Sequence, residues 1–184
     1  APSRVALAEH ALERGFNRRA LDAALATVDA APGHAPARLL LARAWDAVGI
    51  DGRGTRTTLD AAQLFATSPT AVLAAARAER SLGRRTEAMA RLRVLLSLRY
   101  DHTAARLELA SLLLDAGRVA DAASLLRRGL ELRPADVSLH LRLGNMLSLN
   151  GDAPGALSAF EQAARIAPDD DEVAEAWGQH LLRA

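Results

Sequence analysis

The chain contains no cysteine. Disulfides, thiol catalysis and cysteine-based zinc sites are therefore excluded, while any redox compartment remains compatible. It also contains no lysine: all 23 cationic residues counted as Lys+Arg are arginine. The absence of lysine beside abundant Ala and Arg points to a GC-rich, bacterial genome. Aromatic residues make up 3% of the sequence, and no segment combines a strongly basic helical face with an aromatic one, so a membrane-surface role lacks support. No apolar run approaches the ~18–20 residues needed to span a bilayer, and no signal peptide is visible. Neither sign of charge dominates. The formal net charge is +1 with acids and arginines interspersed, which gives no nucleic-acid footprint.

What is present is periodic. Glycine recurs every 34 residues at Gly15, Gly49, Gly83, Gly117 and Gly151. Small residues keep the same spacing at Ala8, Ala42, Ala76, Ala110, Gly144 and Gly178. Ala20, Ala88, Ala122 and Ala156 form another such row, broken only by Gly54, and Pro32, Ala66, Tyr100, Pro134 and Pro168 close each unit. The stretch 134–168 shows why. Two apolar-periodic segments, Leu139–Leu149 and Pro154–Ile166, flank Asn150-Gly151-Asp152. Gly151 suits the left-handed position that ends a helix, Asp152 can cap the next, and Pro154 is tolerated in its first turn. Pro168 stops that helix. The unit is a helix–turn–helix, and such a period governs every other reading.

These residues resemble the tetratricopeptide repeat (TPR) family, whose Leu-Gly, Gly, Ala, Phe and Pro positions match Leu143, Gly144, Gly151, Ala156, Phe160 and Pro168. The resemblance covers essentially the whole chain as one domain, 1–184: repeats 1–34, 35–68, 69–102, 103–136 and 137–170, then a terminal capping helix at 171–184. It implies an all-α, right-handed superhelical solenoid of antiparallel helix pairs. The large aromatic of the family's first helix is missing, replaced by Arg4, Arg38, Val72, Arg106 and His140. Repeat two is irregular, with Gly49, Gly52 and Gly54 in six residues that include Ile50 and Asp51. Its second helix is expected to start late, losing one turn, at a cap within Thr57-Thr58-Leu59-Asp60. A phosphate cradle there fits neither a Walker loop nor a dinucleotide fingerprint, and no strand precedes it.

The resemblance further implies that the first helices line a concave groove. Positions that would face it give an apolar ladder of Val5, Leu39, Leu73, Leu107 and Leu141. Beside the ladder stand Glu9, Arg43, Asp46, Arg77, Arg80, Glu108, Ser111, Arg142 and Asn145. Apolar anchors with mixed charges suit a peptide or protein segment. Arg43, Arg77 and Arg80 either meet a partner's carboxylates or stay solvated, pairing with Asp46. A carboxylate clamp or an asparagine ladder fits poorly, because lysine is absent and Asn145 is the only groove asparagine.

Catalysis lacks a constellation. His10, His34, His102, His140 and His180 offer no metal-ligand spacing and no neighbouring nucleophile. His34 and His102 share a repeat-junction position, which predicts turn packing. The expected function is a non-enzymatic scaffold for a protein partner, without cofactor, metal, nucleic acid or membrane insertion. Two alternatives stand beside it. The beginning at Ala1-Pro2 reads as a processed protein or a domain excised from a larger bacterial polypeptide for polysaccharide export, pilus assembly or group transfer. The repeat ends also offer surfaces for self-association. Cytoplasm and periplasm are both compatible.

Overall fold

The computed structural model describes residues 4–49 and 52–182. Pro2, expected in the first helical turn, lies outside them, as do Ile50 and Asp51 of the glycine-rich turn. Eleven helices follow one another among the described residues, with no strand. They are α1 (Arg4–Glu13), α2 (Asn17–Ala30), α3 (Ala35–Val48), α4 (Arg53–Leu64), α5 (Pro69–Ser81), α6 (Arg85–Leu98), α7 (Thr103–Asp115), α8 (Val119–Leu132), α9 (Val137–Leu149), α10 (Ala153–Ile166) and α11 (Asp171–Leu181). The chain divides into two compact units, Ala1–Arg91 and Leu92–Ala184.

The periodic glycines end first helices as their register predicts. Gly15, Gly49, Gly83, Gly117 and Gly151 all have φ between 72° and 80°, a conformation that costs an L side chain about 1 kcal/mol or more. Beyond four of them the next N–H reaches back five residues, as Phe16 N–H does to Ala11 O at 2.8 Å and Asp152 N–H to Leu147 O at 2.9 Å. The carbonyls left over at the helix end are thereby satisfied. Helix starts are equally periodic. The residue at position 34 of each repeat caps the helix that follows: His34 and His102 accept through Nδ1, Ser68 through Oγ, and Asp136 and Asp170 through Oδ1. The shared position of His34 and His102 is thus a capping position, with Nδ1 bare to receive the backbone N–H.

The aromatic-replacing position has its own device. Arg38 Nε donates to Pro32 O at 2.9 Å, Arg106 Nη2 donates to Tyr100 O, and His140 Nε2 meets Pro134 O at 2.8 Å. In each case a polar side chain reaches back six residues to tie the inter-repeat turn to the new helix. Val72 has no donor and breaks the series.

Within each unit the packing follows the repeat. In Ala1–Arg91, α1 packs on α2 and α3, α3 on α4 and α5, and each second helix on the first helix of the next repeat. In Leu92–Ala184 the same pattern joins α7, α8, α9, α10 and α11. The terminal helix α11 covers α10 and α9, with His180 against Phe160 at 5.3 Å between ring centroids. Ala8, Ala42, Ala76 and Ala110 are all buried, so helices approach closely at this row. At Gly144 the approach belongs to a side chain: a methyl there would stand 2.8–2.9 Å from the fully buried Phe160 ring.

Repeat two starts its second helix late, but not where the sequence predicts. α4 begins at Arg53, two residues later in register than the other second helices, with Gly52 at its N-cap and no side-chain cap. Thr57, Thr58, Leu59 and Asp60 lie inside it and cap nothing, so no full turn is lost. Gly54 is helical and buried, and a Cβ there would stand 1.8 Å from Asp46 Oδ1 and 2.6 Å from Ala42 O. The row of alanines breaks to glycine because α4 presses onto α3 more closely than a methyl permits.

Candidate functional site

The expected groove residues separate by burial. Val5 packs against the core cluster built on Ala8, Leu21, Ala24, Leu40, Leu41 and Ala44. Leu73 and Leu141 are 9% and 6% exposed. Leu73 and Leu141 are thus taken up in helix packing, whereas Val5, Leu39 and Leu107 remain half-buried. The difference in burial has a simple cause: a modest rotation about the helix axis decides whether an apolar side chain on a first helix meets the neighbouring helix or the open side.

In the first unit, five of the expected residues come together around one cavity of about 470 Å³. They are Glu9 from α1, Leu39, Arg43 and Asp46 from α3, and Arg77 from α5. Leu40 and Ala74 supply apolar lining. Thr55 and Thr58 come from the second helix α4 and were not expected, because reading only first helices leaves out what a displaced α4 brings in. The Thr58 hydroxyl donates to Gly54 O at 3.0 Å, so its hydrogen is spent on its own helix. Arg80 is exposed on α5 but lies outside this lining.

The charges of the cavity are unequal in their surroundings. Asp46 lies over Gly54, and partial burial raises its carboxyl above its ordinary value of 3.8. The expected pairing of Asp46 with an arginine is not formed among the described residues. Its neighbour Arg43, one turn earlier on α3, is exposed and likewise makes no ion pair among them. Asp46 is nonetheless exposed for the most part, so the cavity presents an accessible acid beside an available guanidinium.

In the second unit the expected residues are more dispersed. Ser111 turns its hydroxyl onto Leu107 O of its own helix at 3.1 Å. Glu108 is half-buried, and Arg142 and Asn145 are exposed on α9. Two polar features escaped the sequence reading. Glu79 is only 5% exposed and receives Arg91 in a bidentate pair, Nε to Oε2 at 2.9 Å and Nη2 to Oε1 at 2.5 Å. The hydrogen bond to Glu79 raises the Arg91 pKa against the opposing effect of burial. Arg106, 6% exposed, donates to Leu125 O and Tyr100 O, and it fits only because residue 129 is glycine. Among the described residues no three metal-ligating side chains cluster, and no helix is long and apolar enough to cross a membrane.

Known proteins agree with this architecture. The solved structure of TTC0263, a thermophilic TPR protein of Thermus thermophilus, superimposes with a TM-score of 0.76 at 17% identity, covering 97% of both chains. YrrB, described as a TPR protein with an unusual peptide-binding site, gives a TM-score of 0.65 at 16% identity over 94% of this chain and 89% of its own. MamA from Desulfovibrio magneticus RS-1 gives 0.63 at 19% identity, covering 81% and 84%. No curated protein matches the sequence significantly. The family model described as tetratricopeptide repeat matches residues 73–137 and 107–171, more than half of the chain. With the helix pairs, turns and caps repeating in that register, the chain belongs to the tetratricopeptide repeat family.

Proposed function

We propose that this protein is a non-enzymatic scaffold whose first unit holds a segment of a partner protein in the groove of α1, α3 and α5. TPR proteins are generally non-catalytic scaffolds, and the fold is consistent with protein–protein interaction. The observation that carries the reading is the cavity itself. Leu39, Leu40 and Ala74 offer apolar contact while Arg43 and Asp46 present opposite charges on one helix turn. A segment with an apolar anchor flanked by one acid and one base satisfies all of them. Its carboxylate meets Arg43 in a charge-assisted contact, and its cation pairs with Asp46. The likeness to YrrB, a peptide-binding TPR protein by description, supports a peptide over a small molecule.

A peptide array in which anchor and flanking charges are varied independently tests this. Hits are then titrated against the parent chain and the Arg43→Glu and Leu39→Ser variants by calorimetry. Selection of mixed-charge sequences and loss of binding in Arg43→Glu is the expected result. Hits indifferent to both substitutions refute the assignment. Leu73, being buried, is unsuitable as a probe because a charge there would unfold α5.

A further inference from the structure

A second surface feature lies in the second unit, between second helices. A cavity of about 460 Å³ opens between the end of α6 and α8, floored by Leu109 and Leu113 of α7. Leu96 and Leu125 form its apolar walls. One repeat later a smaller cavity of about 250 Å³ has the same construction between α8 and α10, floored by Leu143 and Leu147. The two share register residue by residue, as Arg93 and Arg127, Leu96 and Leu130, and Arg128 and Gln162 show. Such furrows arise because first helices pack side by side, α7 on α9, while α8 and α10 make no such contact among the described residues.

The larger furrow is distinguished by its charge. Arg93, Arg118 and Arg128 border it against one acid, Asp121. Arg118 Nη2 holds Asp121 Oδ2 at 2.6 Å. Among the described residues that leaves Arg93 and Arg128 exposed without a carboxylate. Nearby, Arg106 is buried against carbonyl oxygens only, and the repulsion of Arg128 adds to burial in lowering its pKa. Positive charge thus accumulates over an apolar floor with no internal anion to spare. An ordinary surface arginine has no such floor, and an ordinary apolar furrow has no such charge.

We propose that the α6–α7–α8 furrow docks an acidic segment of a partner protein, which inserts one apolar side chain over Leu109 and Leu113 and sets carboxylates against Arg93 and Arg128. Guanidinium forks favour carboxylates in bidentate geometry, and the apolar floor selects a peptide over a bare anion. This surface is distinct from the cavity of the first unit and does not depend on it.

Three fluorescein-labelled designed peptides serve as probes on the full chain: one of Glu and Leu, one of Glu and Ser, and one of Lys and Leu. Fluorescence anisotropy is read at two salt concentrations, with a single-stranded oligonucleotide as competitor. The Glu/Leu peptide is expected to bind tightest. Arg93→Glu and Arg128→Glu should each weaken it about tenfold or more, whereas Arg165→Glu, an exposed arginine of α10 outside every cavity described above, should leave it unchanged. Circular dichroism and the Trp177 emission establish that both furrow variants stay folded. Equal binding of the Lys/Leu peptide, or indifference to both arginine reversals, overturns the proposal. So does displacement by the oligonucleotide at lower concentration than by unlabelled Glu/Leu peptide. Concentration-dependent self-association abolished by Arg128→Glu would overturn it in favour of a second copy, with the acidic start of α11 as occupant.

Discussion

Replacing the Glu79–Arg91 pair with two leucines should leave the first unit as stable as before, although removing either partner alone destabilises it. The repeat itself supplies the template: the positions of Glu79 and Arg91 are held by Leu113 and Leu125 one unit later. The two partners are not equally placed. Glu79 has a side chain 6% exposed, while that of Arg91 is 30% exposed. Arg91→Leu strands a carboxylate inside the α5–α6 contact, and breaking a buried pair this way costs about 3–5 kcal/mol. Partial solvent access at Arg91 places the value near the lower end, about 3 kcal/mol. Glu79→Leu strands a longer, half-wet side chain that can extend to water, so its cost is about 1–2 kcal/mol. The double variant exchanges a desolvated pair for apolar contact and should lie within about 1 kcal/mol of the parent. Urea denaturation read by circular dichroism and by Trp45 emission in a Trp177→Phe background isolates the first unit. A double variant as unstable as Arg91→Leu, or a Glu79→Leu variant worse than Arg91→Leu, would refute the reasoning.

Asp46→Asn should stabilise the first unit slightly at neutral pH, because partial burial disfavours the ionised carboxylate while solvent access to this exposed side chain keeps the effect small. With the folded pKa raised above 3.8, the folded state binds the proton more readily. The penalty is therefore full above the folded value and fades as pH falls toward 3.8. The advantage of the asparagine variant should shrink accordingly in denaturation curves taken from neutral to mildly acidic pH. Gly54→Ala gains about 1 kcal/mol of helix propensity but forces α4 off the Ala42 carbonyl, an overpacking cost of about 1–3 kcal/mol. A net loss should appear as a lower urea midpoint. His102→Asp installs at α7 the cap used at Asp136 and Asp170, and should raise stability of the second unit by about 0.5–1 kcal/mol in the Trp177 transition.

Periodic features were readable in the sequence wherever one residue type has one backbone use. The glycine row predicted the left-handed turns, and Asp152 and Pro154 predicted the start of α10. Features that depend on helix rotation or on distant partners were not. Leu39 and Leu73 occupy the same register position, yet only Leu39 borders the cavity. Glu79 and Arg91 sit on different helices across a turn, so no local spacing announces their pairing. Gly54 was readable as an exception but not as a contact, since its meaning lies in the carbonyl of Ala42. Thr55 and Thr58 entered the site only because α4 is displaced, which could have been suspected from that same glycine.

The caps carry a consequence for how such a chain can be cut and rejoined. The residue that caps each first helix is the last residue of the repeat before it, so a cassette excised as residues 103–136 leaves His102 behind and takes Asp136 along. Shuffled at those borders, every unit would inherit a stranger's cap, and the stabilities of recombined arrays would depend on neighbour order. Joining instead at the glycine turns, from 117 to 150, keeps Asp136 with α9. Cassettes cut there should be interchangeable parts, and an engineer extending this array would gain uniform behaviour from that choice of seam alone.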